Sequence, residues 1–155
     1  MKVKFKKLSE QATIPFRAHP TDAGFDLVAT NVTHEINECG QLILVYHTDI
    51  AMELPNGYVG LLFPRSSICS KSVTLTNCVG VIDSSYRGEI MAKMRSTTDV
   101  VPAIYKPGDK FAQIVIIKLP DDIEVEETET LSESDRGEGG YGSTDNVAHK
   151  KEVVE

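Results

Sequence analysis

The chain has 155 residues, 41% of them hydrophobic and 25% charged, which suffices for one globular domain with a core but not for two. Its formal net charge of -7 argues against binding to a nucleic-acid backbone, because such binding normally needs a basic face. An acidic protein can still bind a small polyanion where arginines and backbone N–H groups gather locally and a metal ion neutralises the ligand.

Neither a secretory signal nor a membrane span is predicted. The N-terminal segment MKVKFKKLSEQ lacks an apolar core, and no run approaches the roughly eighteen apolar residues of a membrane helix. The cysteines Cys39, Cys69 and Cys78 are odd in number and have no C-x-x-C spacing, so neither a disulfide framework nor a zinc site is indicated. We expect a cytoplasmic or nuclear protein with reduced thiols, and its origin, viral or phage included, stays open.

The first strands are predicted from alternation. Lysine alternates with apolar residues over 2–7, which predicts an edge strand with its lysines in water. A loop with two prolines follows, and the segment DAGFDLVA then returns to strand around Leu27 and Val28.

A hairpin is predicted in the next part of the chain. Residues 41–54 and 58–63 are both β-rich, and the sequence Pro-Asn-Gly at 55–57 predicts a turn between them. Pro64 then ends the ladder, before a short polar loop that carries Arg65 and two serines.

The central segment, residues 76–90, combines a turn with an acid and an aromatic. Its apolar residues lie around Gly80 and lead into Asp83 and Tyr86, which predicts a β-hairpin that ends beside a carboxylate and a ring. Taken alone, such an acid is usually a turn residue whose side chain hydrogen-bonds the backbone, and such a tyrosine is usually packed.

Two more strands are predicted after the central segment. In EIMAKMR the residues Ile90, Ala92 and Met94 share one face, and FAQIVII after a KPGD turn is almost continuously apolar. The amide of Gln113 interrupts the second of these strands, and a satisfied core amide is the plainer interpretation of it.

The C-terminal part is first acidic and then rich in glycine. Ile123 and Val125 predict one short strand inside an acidic linker. In RGEGGYGSTD, successive backbone N–H groups could converge on phosphate oxygens. The Arg136 guanidinium could add a bidentate contact, and the hydroxyls of Ser143 and Thr144 could donate as well. Such a glycine-rich run is, however, usually a linker.

Short strands separated by Gly and Pro turns, without a helix-period segment, predict an all-β sandwich or barrel. The five segments DAGFDLVA, PRSSIC, TNCVGVIDSSYRGEI, GDKFAQIVI and RGEGGYGSTD resemble, in order, the five motifs of the trimeric dUTP pyrophosphatases (dUTPases). The resemblance covers residues 3–145. Ser67 departs from it where the family usually has Gly, Tyr141 where it usually has Phe, and Asp145 where it often has Gly.

This resemblance implies a fold and an assembly. Residues 1–134 would form a distorted jelly-roll β-barrel. Three chains would form a homotrimer in which the C-terminal arms are exchanged between subunits. Residues 135–145 would be a Gly-rich motif that closes over the active site, and 146–155 a flexible tail. Each site would take its loops, its hairpin and its tail from three different subunits.

The resemblance also implies the reaction, in which dUTP is split into dUMP and pyrophosphate. This keeps uracil out of DNA and supplies dUMP for thymidylate synthesis. Asp83 would activate a water that attacks the α-phosphorus in line. One Mg²⁺, chelated by the phosphates, would be linked through water to the protein near Asp26.

The remaining implied roles concern substrate binding. Tyr86 would pack on the deoxyribose, Asn77 and hairpin backbone would read uracil, Tyr141 would stack over the base, and Gln113 would reach the phosphate end. The other implied substrate-binding residues are Arg65, Ser66, Ser67, Gly80, Val81, Ile82, Met91, Arg136, Gly142, Ser143 and Thr144.

Three alternative functions fit the sequence less well. The dCTP deaminases of the same fold would need a Glu ten residues after the hairpin acid and an Arg five residues after the loop Arg, where this chain has Lys93 and Ser70. A dUTP-sensing interaction module would show a lost catalytic acid or a large insertion, and neither is present. A capsid-like jelly roll would not need the five motifs.

Overall fold

The computed structural model describes residues 1–98, 103–120 and 122–143, and the chain divides into two units, residues 1–121 and 122–155. The described residues of the first unit form nine strands: β1 Lys4–Lys7, β2 Phe25–Val28, β3 Asn31–Ile36, β4 Leu42–Glu53, β5 Tyr58–Pro64, β6 Val73–Leu75, β7 Gly80–Ile82, β8 Glu89–Ser96 and β9 Lys110–Lys118. A 3-10 turn at Ser66–Ser70 follows β5. No helix in the described residues is long and apolar enough to cross a membrane.

The strands form two antiparallel sheets. One has the order β1-β4-β8-β6, with β3 also paired to β4, and the other has the order β2-β9-β5-β7. The predicted all-β jelly-roll fold is therefore confirmed. The core contains Tyr46, whose ring stacks on Phe111 at a centroid distance of 5.0 Å and meets the edge of Tyr105. Burial of the Tyr46 hydroxyl raises its pKa, partly offset by the backbone N–H of Tyr105 that donates to it.

Alternation predicted several strands correctly. The lysine-rich strand is β1 at the edge of its sheet, and β8 buries Ile90, Ala92 and Met94 while exposing the residues between them. β2 and β9 are confirmed as well. Strand β3 was missed, because its residues are mostly polar and exposed and it is held by its ladder with β4 rather than by an apolar face.

Both predicted hairpins are wrong in their pairing. β4 and β5 flank the turn at 55–57, but β4 pairs with β1, β3 and β8, whereas β5 pairs with β7 and β9. In the central segment, β7 pairs with β5, while the preceding β6 pairs with β8. Each turn carries the chain from one sheet to the other, with Gly57 and Cys78 at positive φ. Turn residues signal a sharp reversal, but they do not say which strand becomes the partner.

The strand predicted at Ile123 and Val125 is also wrong. The second unit has no strand in its described residues, and these two side chains are 69% and 96% exposed. Within this unit, the described residues offer no sheet with which such a strand could pair, so the alternation of apolar and acidic residues does not produce a strand. The predicted tail, residues 146–155, lies outside the described residues.

Candidate active site

The first group of predicted site residues lies where three neighbouring strands β2, β9 and β5 meet the loop after β5. Asp26, Arg65, Ser66 and Gln113, called the loop cluster below, line one cavity of about 270 Å³. The register explains this, because Gln113 of β9 is paired with Asp26 on one side and with Phe63 on the other. The Gln113 amide donates to the Pro64 carbonyl at 3.1 Å, which ties the amide to the end of β5.

Gly24 lets the Gln113 side chain into this cavity. A Cβ at Gly24 would overlap the Gln113 side-chain oxygen. The glycine of the first motif therefore serves a close approach between two chain segments.

Asp26 is the electrostatic centre of the loop cluster. It is only 9% exposed, and its two oxygens are paired with different cations, Arg65 Nε at 2.8 Å and Lys110 Nζ at 3.0 Å. Arg65 also donates from Nη1 to the Lys110 carbonyl at 3.3 Å. Arg65 and Lys110 offset Asp26 and Asp22, the second carboxylate that lines this cavity, so the four charges balance, and an anionic ligand there would depend on the remaining Arg65 donors or on a cation bound with it.

The residues around Asp26 suit Mg²⁺ only through water. Among the described residues, no group of three or more His, Cys, Asp or Glu side chains could hold a metal ion directly. Each Asp26 oxygen keeps a lone pair that can accept a hydrogen bond from a metal-bound water, and Mg²⁺ characteristically retains several waters. Asp26 therefore fits an outer contact with hydrated Mg²⁺.

Ser67 directs its hydroxyl into the protein. Its Oγ lies 3.0 Å from the hydroxyl of Tyr105, which is 2% exposed, and this contact fastens the 3-10 turn to the core. The Ser67 hydroxyl is thus engaged by Tyr105, and Ser67, unlike Ser66, does not line the cavity. The departure from the usual glycine has a structural explanation in this chain.

We expect Ser67→Ala to lower the free energy of unfolding by about 1 kcal/mol, because the Tyr105 hydroxyl loses this partner. Urea denaturation at one fixed protein concentration measures it. Ser70→Ala is the matched control, since its hydroxyl donates to the Ser67 carbonyl at an exposed position, and it should stay within about 0.5 kcal/mol of wild type. An unchanged stability for Ser67→Ala would mean that the contact with Tyr105 contributes nothing net.

The second group of predicted residues belongs to the central segment and the adjacent strand β8. Val81, Ile82, Asp83, Tyr86 and Met91 line a cavity of about 220 Å³ together with Glu89 and Lys93. Asn77 and Gly80 line a second cavity of about 280 Å³, and the two cavities share Met91 and Lys93. The predicted residues of these two cavities are called the Asp83 cluster below.

The turn that carries Asp83 is held by one backbone hydrogen bond and by the Arg87 guanidinium. The Tyr86 N–H donates to the Asp83 carbonyl at 3.1 Å, and Arg87 Nη1 donates to the carbonyls of Ser84 and Tyr86 at 2.6 and 2.9 Å. The Asp83 carboxylate is exposed beside the cavity. It is therefore available to a water or a ligand rather than used to cap the turn.

Tyr86 is placed by two contacts. Its hydroxyl donates to the Glu89 carbonyl at 3.0 Å, and its ring lies over Gly88, where a Cβ would overlap the ring. The ring is 42% exposed and lines the cavity of Asp83. An aromatic face is thus presented to whatever occupies that cavity.

The loop cluster and the Asp83 cluster are separate within one chain. Their cavities have no lining residue in common. Ile82 lies opposite Gly60 on β5, and Arg65 follows Gly60 by five residues, which corresponds to about 16 Å along the strand. The predicted site residues of the first unit therefore occupy two places.

The glycine-rich motif lies in the second unit and is described by itself. Arg136 Nε donates to the Gly139 carbonyl at 2.8 Å, and the Ser143 N–H donates to the Gly140 carbonyl at 3.2 Å. Gly142 has φ +76°, and Tyr141 is fully exposed. Thr144 lies outside the described residues.

Among the residues that line or support the cavities, sequence reasoning missed Lys110, Glu89 and Tyr105, as well as Asp22 in the cavity of the loop cluster. Lys110 pairs with Asp26, Glu89 borders the Asp83 cavity, and Tyr105 holds Ser67. Lys110 stands at the start of a predicted strand and Glu89 within the third motif, but no local pattern marks either side chain as a partner of a distant residue. Tyr105 had no signal beyond its aromatic character.

Comparisons with known proteins identify the family of this chain. A model of the dUTPase family matches residues 10–145. The deoxyuridine 5'-triphosphate nucleotidohydrolase of Rhodococcus erythropolis is 39% identical over 148 residues, which cover 93% of this chain and 86% of the relative. The enzyme of the same name from Corynebacterium glutamicum is 39% identical over 147 residues, covering 94% and 96%.

Solved structures show the same fold. The dUTPase of Staphylococcus bacteriophage 80alpha, solved with dUpNHpp, is 30% identical with a TM-score of 0.69 and covers 92% of this chain and 97% of its own. A mutant dUTPase of phage phi11 of S. aureus, which coordinates a structural Mg(II) ion, is 28% identical with a TM-score of 0.68, covering 84% and 98%. Because the family model and both relatives span most of its length, the chain belongs to the dUTPase family.

Proposed function

We propose that the chain hydrolyses dUTP to dUMP and pyrophosphate by in-line attack of an Asp83-activated water on the α-phosphorus. The observation that carries this proposal is the exposed Asp83 carboxylate, which lines one cavity with the ring of Tyr86 in a chain of this family. A carboxylate so placed can orient a water and accept its proton. The product dUMP would serve thymidylate synthesis, and removal of dUTP would keep uracil out of DNA.

The base and the sugar would occupy the Asp83 cluster. Tyr86 presents its ring to the cavity, where it can pack on deoxyribose and leave no room for a 2′-hydroxyl. Uracil would be bound by the backbone of residues 80–82, with help from the Asn77 amide, and Met91 would form an apolar wall. Gly80 lies close to its partner strand β5, since a Cβ there would come within 3.1 Å of the Leu62 Cβ.

The phosphates would bind to the loop cluster. Arg65 keeps donors beyond those it directs to Asp26 and the Lys110 carbonyl, and Ser66 and Gln113 border the same cavity. Backbone N–H groups at Ser67 and the neighbouring turn add further donors. Mg²⁺, when bound, would neutralise phosphate charge and be held near Asp26 through water.

A complete site would need more than one chain. Because the loop cluster and the Asp83 cluster line cavities that have no residue in common, we assign them to different subunits of a homotrimer. The glycine-rich motif of a third subunit would bring Arg136, Gly142, Ser143 and Thr144 to the phosphates and Tyr141 over the uracil, and so exclude water. A cytoplasmic location stays a prediction.

A substrate panel tests the proposed function. Pyrophosphate release should be measured with dUTP, dCTP, dTTP and UTP, each with and without Mg²⁺. We expect dUTP to be preferred, because cytosine fails the edge recognition and the thymine methyl meets the tight turn, with Mg²⁺ raising the rate.

The same panel distinguishes the deaminase alternative. Activity on dCTP comparable to that on dUTP would contradict the assignment. Lys93, where a deaminase would carry its glutamate, is here an ammonium paired with Glu35 at 2.6 Å.

A further inference from the structure

Glu89 links strand β4 to the tyrosine of the Asp83 cavity. Its side chain contacts β4, while its backbone carbonyl accepts the Tyr86 hydroxyl at 3.0 Å. One residue therefore connects the core sheet with the ring that faces the ligand.

A β-bulge in β4 creates the need for the Glu89 carboxylate. Between the pairs His47–Met91 and Ala51–Glu89, strand β4 has three residues where β8 has one, so the ladder is interrupted. Asp49 in this bulge has φ +50°. The N–H groups of Thr48 and Asp49 therefore lack partners on β8 and require another acceptor, whereas the Ile50 N–H donates to Thr48 Oγ1 at 3.1 Å.

The Glu89 carboxylate is that acceptor. Its Oε1 accepts the N–H groups of Thr48 and Asp49 at 3.0 and 2.9 Å, and its Oε2 lies 3.3 Å from His47 Nδ1. The Glu89 side chain is 20% exposed, so these hydrogen bonds are partly shielded from water. They hold the first residue of β8 in a defined position against β4.

Tyr86 depends on this position. Tyr86 is 42% exposed, its ring lies over Gly88, and it lines the cavity. The hydroxyl contact to the Glu89 carbonyl fixes the far end of the ring. A shift of the start of β8 would therefore move the ring relative to a bound sugar.

We infer that Glu89 is a positioning residue for Tyr86 and thereby determines how strongly the enzyme prefers deoxyribose over ribose. This inference rests on the proposed contact of Tyr86 with the sugar. A ring displaced by even a small distance leaves space for a 2′-hydroxyl. In a Glu89 variant, kcat/KM for UTP should therefore rise relative to kcat/KM for dUTP, rather than both values falling equally.

The test compares kcat/KM for dUTP with kcat/KM for UTP in six full-length proteins: wild type, Glu89→Ala, Glu89→Gln, Tyr86→Phe, the double variant Glu89→Ala/Tyr86→Phe, and Tyr86→Ala. We expect the dUTP/UTP ratio to fall about threefold to tenfold in Glu89→Ala and in Tyr86→Phe, the scale of one lost hydrogen bond. Glu89→Gln keeps an oxygen for the two N–H groups, so its ratio should stay within about twofold of wild type.

The double variant separates positioning from general loosening. If both residues act through the same ring, the ratio of the double variant should match that of the lower single variant, whereas multiplied effects would overturn the inference. Ser9→Ala is the control for the bulge, since its hydroxyl donates to Asp49 Oδ2 at 2.6 Å without touching Glu89. It should lower the melting temperature and leave the ratio unchanged.

The outcomes distinguish this inference from the proposed function. A lowered ratio in Tyr86→Ala with an unchanged ratio in Glu89→Ala would reject Glu89 as a positioning residue and leave the sugar contact standing. An unchanged ratio in Tyr86→Ala would reject the sugar contact itself, and with it the inference. If Glu89→Ala does not fold, Glu89→Asp takes its place, because its shorter side chain keeps the charge but cannot reach both N–H groups, and the same fall in ratio is expected.

Discussion

Asp83→Asn should bind a non-hydrolysable dUTP analogue almost as tightly as wild type while its turnover falls by about 10² to 10⁴-fold, the range that general-base assistance typically supplies. The substitution is nearly isosteric, and the turn uses the Asp83 carbonyl rather than its side chain. The fold and the cavity should therefore persist, and the loss should fall on the chemical step. Turnover by pyrophosphate release and affinity by isothermal titration with dUpNHpp measure the two effects separately.

Ser85→Ala is the matched control for this experiment, because Ser85 is exposed in the same turn and has no assigned role. Its turnover should stay close to that of wild type. A turnover of Asp83→Asn within about a factor of two of wild type would remove Asp83 from the mechanism. A parallel loss of analogue binding would instead assign Asp83 to substrate binding.

Truncation before Arg136 should abolish activity, and the loss should be repaired by a second inactive chain. The truncated protein lacks the glycine-rich motif but retains Asp83, whereas Asp83→Asn protein retains the motif. If each site combines a central segment and a tail from different subunits, each mixed trimer has one sound site. Equal co-refolding should then restore about a quarter of wild-type activity, since about three quarters of the trimers are mixed and each has one of three sites intact.

The control for this mixing experiment is each variant refolded alone, which should stay inactive. Native mass spectrometry must confirm mixed trimers by their intermediate masses. Confirmed mixed trimers without activity would mean that the central segment and the tail of one site come from the same chain. Oligomers of another size would contradict the homotrimer.

Local pattern was sufficient for several strands and for the identity of the candidate residues. Alternation placed β1 at an edge and divided the residues of β8 between core and surface, because side chains in a strand alternate between its two faces whatever its partners are. The motifs around Asp26, Arg65, Asp83 and Gln113 are recognisable from their amino-acid sequences alone. The structure brings Asp26, Arg65 and Gln113 to one cavity and places Asp83 at another.

The partner of each strand could not be predicted from the sequence. The turn at 55–57 and the turn in the central segment have the composition of hairpin turns, yet both cross between the two sheets. A turn needs only local backbone conformations, such as the positive φ of Gly57. Which strands then pair depends on how two apolar faces pack, and the partners come from distant parts of the chain.

By itself the sequence determined the family, the all-β class and the candidate site residues, since motif sequences and side-chain alternation are local properties. Only the tertiary structure decided what those residues contact. It placed Lys110 on Asp26, turned the Ser67 hydroxyl to Tyr105, and joined Glu89 to the β4 bulge. Each contact joins a side chain to a group that sheet register or loop packing brings near. Such long-range hydrogen bonds and ion pairs form only once the sheets have assembled, so no local sequence spacing predicts the partner.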